Sequence, residues 1–249
     1  MPVRVPDRPE DIFEPLVADL KQALGDDLLG VCLFGSAAAG RYQKGKSDLN
    51  FLILVDNQAQ GVQSRLIPFY KRWAKANLAV PLVVTPWYLQ SSRDSFPIEL
   101  LVMSAAHKPV YGQDPLAEIQ VRPADLRLQL ERELKGKLLA LRSGALASLG
   151  RKPELMGLLR RALPAFTALF QAYLHLEQGR FPLEPAQVLE AMARDGHEVS
   201  AFVKLEKVRS GELKPPAGEL MAMVEQCLAQ LVALCRAVDQ LEVTKEPRS

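Results

Sequence analysis

Residues 31–56, VCLFGSAAAGRYQKGKSDLNFLILVD, constrain the fold more than any other part of this chain. The run Val31, Cys32, Leu33, Phe34 reads as a buried strand. Gly35-Ser36 breaks it, and Ala37, Ala38 and Ala39 can start a helical turn directly afterwards. A polar loop with Arg41, Lys44 and Lys46 follows. Ser47-Asp48-Leu49-Asn50 then leads into a second apolar run, 51–55. Strand side chains alternate, so Asp48 and Asn50 share a face, with Cα atoms about 6–7 Å apart. Glycine lets a backbone approach a phosphate closely, and the N–H groups of a following helical turn favour anions. The layout can hold a phosphate.

The flanking sequence alternates helix and strand. Residues 1–9 hold three prolines and read as a loose arm. Ile12, Phe13, Leu16, Val17, Leu20 and Leu24 recur at helical spacing up to Gly25, a natural stop. A second amphipathic helix is expected over 62–76. A third strand is expected over 78–85, interrupted by Pro81, and a short helix starting at Pro86. PIELLVM, 97–103, reads as a fourth strand, and 108–112 as one more short strand. This alternation predicts an α/β (α+β) mixed sheet with packed helices. Beyond about residue 115 no strand pattern returns. Helices are expected over 126–149, weakened at Gly136 and Gly144, and over 154–177, with a kink at Pro164. Three more are expected over 184–193, 198–209 and 218–241. This half predicts an all-α helical bundle. The domains are therefore set at 1–115 and 116–249, with residues 244–249 expected to fray.

Composition excludes some partners. The net charge of +2 and a pI near 8.4 are too balanced for nucleic-acid binding by bulk charge. Three cysteines without a CxxC spacing, Cys32, Cys227 and Cys235, suggest buried thiols in a reducing compartment. The first residues lack the apolar core of a signal peptide, and no run is expected to reach the roughly 18 apolar residues of a spanning helix. A cytoplasmic protein with no membrane partner is expected. His107, His175 and His197 show no metal-ligand spacing. His175 with Glu177, near a helix end, reads as a surface polar pair or as an acceptor-side base. The leucine stripes of 126–149 and 220–241 read as bundle core, with a homodimer as the alternative.

FGSAAAGRYQKGKSDLNFLIL resembles the Gly-Ser, ten-residue spacer, Ser-Asp-x-Asp signature of the DNA polymerase beta-like nucleotidyltransferase superfamily. Its small antibiotic-modifying members also carry a helical C-terminal domain. The segment HKPVYGQDPL, 107–116, resembles the part that closes the catalytic domain in such proteins. The resemblance covers 28–115 by motif and the remainder by architecture only. It implies Mg2+-dependent transfer of a nucleoside monophosphate from an NTP to a hydroxyl of a small molecule or protein, in a cleft between the domains. Gly35, Ser36, Ser47 and Lys46 would bind the nucleotide. Asp48 would hold metal, and the second carboxylate position is occupied by Asn50. The family draws a third carboxylate from a later strand, and Glu99 in PIELLVM is the candidate. Its alternative is an edge-strand or solvent-facing position.

Asn50 is the departure from the pattern. An asparagine offers a metal a carbonyl oxygen but no charge. Asp48 and Glu99 would then be the catalytic acids, supplying two negative charges where the pattern supplies three. Weak or lost activity is expected. The rival expectation is a non-catalytic NTP-binding or protein-interaction module on the same fold.

Overall fold

The computed structural model describes residues 3–243. The expected fraying of 244–249 lies outside the described residues. The chain divides into two compact units, Met1–Val121 and Arg122–Ser249.

The first unit is built on a four-stranded mixed sheet. Its strands are β1 (Leu28–Phe34), β2 (Asn50–Val55), β3 (Leu82–Val84) and β4 (His107–Gly112), in the order β3-β2-β1-β4. β1 pairs antiparallel with β2 and with β4, and β2 pairs parallel with β3. Side-chain alternation sorts the sheet into two faces. Leu33, Phe51, Ile53 and Val55 pack against helices α1 (Phe13–Leu24) and α2 (Val62–Trp73), which bring Leu16, Leu20, Leu66 and Phe69. Cys32, Leu52 and Leu54 pack on the other face with Leu89, Leu100 and Leu116. Leu89 belongs to α3 (Pro86–Ser91) and Leu100 to α4 (Pro97–Ala105).

Three expectations about this unit need correction. PIELLVM is the first seven residues of α4 and forms no strand. Pro97 stands in the first helical turn, where its missing N–H costs nothing, and Glu99 complements the positive end of the helix. A short apolar run has no periodicity that separates a buried strand from a buried helix, and Pro97 was the available signal. The third strand shrinks to three residues plus an isolated bridge between Leu49 and Leu78, because Pro81 cannot donate to the ladder. The arm is also packed: Pro6 and Pro9 are buried, and Arg8 and Asp11 pair side chain to backbone around a 3-10 turn.

The second unit contains α5 (Pro123–Ala147), α6 (Lys152–Gln178), α7 (Pro185–Arg194), α8 (Ser200–Ser210) and α9 (Ala217–Gln240). α5 runs unbroken through Gly136 and Gly144, and α6 continues through Pro164. Phe166, Phe170 and Phe202 form an edge-to-face aromatic cluster at the join of α6 and α8. α9 is long and apolar enough to cross a membrane by length and composition, which corrects the expectation that no run is. One face of α9, including Leu220, Val224, Cys227, Leu231 and Val238, is buried in the unit.

Candidate functional site

The site is assembled around the turn that ends β1. Gly35 has φ +77°, a conformation that costs a side-chain-bearing residue strain, so glycine is the suitable residue here. Its N–H donates to the Ala106 carbonyl at 2.8 Å, tying the turn to the junction of α4 and β4. Tight turns follow over 35–41, closed by Ala39 N–H to the Gly35 carbonyl at 3.0 Å and Arg41 N–H to the Ser36 carbonyl at 2.9 Å. The expected Gly-Ser turn is present, and the expected helical start is a set of hydrogen-bonded turns over 35–40 that does not continue into a helix.

The basic loop is ordered by its own bonds and by the N-terminal arm. The Ser47 hydroxyl accepts from the Gln43 N–H at 3.0 Å, while the Ser47 N–H donates to the Gln43 carbonyl at 2.9 Å. Ser47 thus closes a five-residue loop. The Tyr42 hydroxyl donates to the Pro6 carbonyl at 2.9 Å, and Lys44 pairs with Asp7 at 2.6 Å. The Asp7 carboxylate raises the Lys44 ammonium above its ordinary value. One of the loop cations is therefore engaged by the arm. Lys46 is exposed.

Asp48 lies between two fixed neighbours. Ser47 closes the loop on one side, and the Leu49 N–H donates to the Asn77 carbonyl at 2.9 Å on the other. Its carboxylate is exposed. Asn50 is half-buried and opens β2 opposite Phe34 of β1. A Cβ built on Gly35 would lie 3.5 Å from Asn50 Nδ2, so the amide faces the turn. The structure thus brings Gly35 and Asn50 together at one end of the sheet, with Ser36, Ser47 and Asp48 on the segments that join them.

Glu99 is placed differently. It is exposed, in the first turn of α4. The reason for singling it out was an acid inside a buried strand, and that reason disappears with the strand. The stretch that pairs parallel with β2, 78–84, reads LAVPLVV and carries no acid. Among the described residues no three His, Cys, Asp or Glu side chains gather as a metal-holding group. Mg2+ prefers hard oxygen ligands in octahedral geometry, and a two-metal centre needs several carboxylates. One carboxylate and one amide at the head of β2 do not fit such a centre.

Sequence reasoning missed one positioning pair. His107 opens β4 opposite Phe34, with Nδ1 facing the Ser104 carbonyl at 2.6 Å and Nε2 3.2 Å from Asp114 Oδ2. Asp114 Oδ1 also accepts the Leu116 N–H at 3.0 Å, closing the turn that follows β4. The pair fixes the junction that receives the Gly35 N–H. The signal was the His107-to-Asp114 spacing within HKPVYGQDPL, legible only once β4 is placed.

In the second unit, Glu177 accepts the Tyr173 hydroxyl at 3.2 Å, and His197 Nε2 lies 3.9 Å from Glu177, beyond hydrogen-bond reach. His175 instead meets the Phe181 ring, at 6.0 Å between ring centres. The expected pairing of His175 with Glu177 is not formed. Cys32, Cys227 and Cys235 are free and buried, as expected, and burial pushes the Cys32 and Cys227 thiols up to about 12.

No protein-family model matches the chain, and no curated protein matches it in sequence. A solved structure does share its fold: the spectinomycin adenyltransferase AAD(9) from Enterococcus faecialis, determined with ATP and spectinomycin. The TM-score is 0.53 at 14% sequence identity, covering 88% of this chain and 98% of that one. The fold is thus nucleotidyltransferase-like, a mixed four-stranded sheet with packed helices and a helical C-terminal region.

Proposed function

We propose that the first unit binds a nucleoside triphosphate at the Gly35-Ser36 turn, and that nucleotidyl transfer at this site is slow or lost. The observation that carries this reading is the placing of the Asn50 amide toward the Gly35 turn, on a sheet end where Asp48 is the acid left by the motif. The turn offers backbone N–H groups to phosphate, and Ser47 and Lys46 hold and charge the loop beside it. A neutral amide at the second carboxylate position removes charge that two-metal transfer needs.

A second reading, an active Mg2+-dependent nucleotidyltransferase, is favoured by the fixed and exposed Asp48. The likeness to a solved adenyltransferase holding ATP and spectinomycin also supports it, and suggests ATP as donor and a small hydroxylated molecule as acceptor. Titration of the full chain with ATP, GTP, CTP and UTP in Mg2+ buffer, together with release of labelled pyrophosphate, separates the two. Saturable binding with pyrophosphate release at the blank rate is expected. Rapid release that Asp48→Ala abolishes would establish the enzyme instead. Absence of binding by all four nucleotides would remove both.

A further inference from the structure

We propose that nucleotide binding at this turn does not require a divalent cation, because the Asn50 amide takes the place of a charge that would otherwise need one. The inference rests on the nucleotide-binding reading above and concerns the ionic form of the ligand: the metal-free triphosphate.

The surroundings of Asn50 carry it. On the same sheet face, Phe34 stands opposite Asn50 on β1. On the other side the chain beside the head of β2 is the apolar stretch around Leu78 and Ala79, with Leu78 bridging Leu49 and the Ala79 N–H donating to the Leu49 carbonyl. The amide thus has apolar Phe34 across from it and one acid near it, the exposed Asp48 two residues earlier. Asp114, beyond the end of β4, is engaged by His107 and the Leu116 N–H. The Asn50 Nδ2 end faces the Gly35 backbone.

An acidic site repels a triphosphate, and a divalent cation between them turns that repulsion into attraction. Among the described residues no such cluster gathers here, and Asp48 alone is a single charge. An amide also offers an anion two N–H donors, where a carboxylate offers lone pairs alone. Lys46 in the adjacent loop adds a positive charge on the solvent side. These features favour a bare polyphosphate.

The test is calorimetric titration of the full chain with each of ATP, GTP, CTP and UTP, once in EDTA and once in Mg2+. Wild type, Asn50→Asp and Asn50→Ser are compared, with circular dichroism confirming that each variant is folded. Wild-type dissociation constants in the two buffers should agree within about threefold. Asn50→Asp should weaken binding in EDTA by about tenfold or more and recover in Mg2+, since the new charge lies beside the phosphates. The neutral Asn50→Ser should keep metal-free binding within about tenfold. Wild-type binding only in Mg2+ would overturn the inference and leave nucleotide binding standing. Equal loss in Asn50→Asp and Asn50→Ser, or no loss in Asn50→Asp, would also overturn it. No binding in either buffer would instead overturn the nucleotide-binding reading itself.

Discussion

Replacing Gly35 by alanine separates the phosphate-binding role of the turn from its conformational role, because Gly40 supplies a matched control. The two glycines have nearly equal left-handed φ values, +77° and +76°. An alanine in that region costs about 1–2 kcal/mol of strain. A Cβ on Gly35 would meet Asn50 Nδ2 at 3.5 Å, an ordinary contact, and a Cβ on Gly40 would meet nothing within 4 Å. No steric penalty is added at either site, so both variants should lose the same stability. At roughly 4 °C per kcal/mol for a unit of this size, both melting midpoints should fall by about 4–8 °C. Affinity should split them. The Gly35 Cβ occupies the surface a phosphate would approach, and Gly35→Ala should weaken triphosphate binding by about tenfold or more, roughly 1.4 kcal/mol. Gly40→Ala should bind as wild type. Thermal melts and calorimetric titration of both variants provide the comparison. Equal affinity loss in the two would mean that strain alone disturbs the site. Unchanged affinity in Gly35→Ala would place the phosphates elsewhere.

The remaining predictions concern the supports of the site and the interior. Asp114→Asn weakens its contact with His107 while still allowing the amide oxygen to accept the Leu116 N–H. It should cost about 1 kcal/mol by denaturant titration, and Asp114→Ala more, with equal costs contradicting the pairing. Ser47→Ala removes the acceptor for the Gln43 N–H and should speed amide exchange in the 43–47 loop. Unchanged exchange would show that the loop closes without it. Burial holds the His175 imidazole below its ordinary 6.5, so the folded state takes up fewer protons than the unfolded state. The stability of the neutral ring is complete above that value and is lost as pH falls through the depressed folded one. The melting temperature should therefore drop between about pH 7 and pH 5, less steeply in His175→Gln, and parallel slopes would refute the assignment. With Cys32 and Cys227 pushed up to about 12, thiol reagents at about pH 8 should label both only as fast as the chain opens. Labelling at the rate of an exposed thiol would contradict their burial.

The sequence was most legible where local chemistry and periodicity agree. β1, β2 and the turn between them follow from apolar runs bounded by a Gly-Ser break and a polar loop. α9 follows from a stripe at helical spacing. PIELLVM failed because seven apolar residues with one acid satisfy both periods, and its burial on the sheet face of Cys32 and Leu52 is a tertiary fact. The failure reached the site, because Glu99 had been chosen on the strength of a strand. The arm was misread for a similar reason. Its three prolines signal a lack of regular structure, yet Pro6 accepts the Tyr42 hydroxyl and Asp7 holds Lys44. Such long-range partners leave no periodic trace. Asn50 stands in the sequence where the motif has a carboxylate, and the structure adds its direction, toward Gly35.

The central claim is that phosphates sit on the Gly35-Ser36 turn against Asn50. Backbone and side-chain amide resonances of the isotope-labelled chain, followed during titration with the four nucleoside triphosphates, test it most directly. The account predicts saturable shifts at the Gly35 and Ser36 N–H groups and at the Asn50 side-chain amide, with the helices of the second unit least affected. Shifts confined to the second unit, or an unmoved Asn50 amide at saturation, would contradict it.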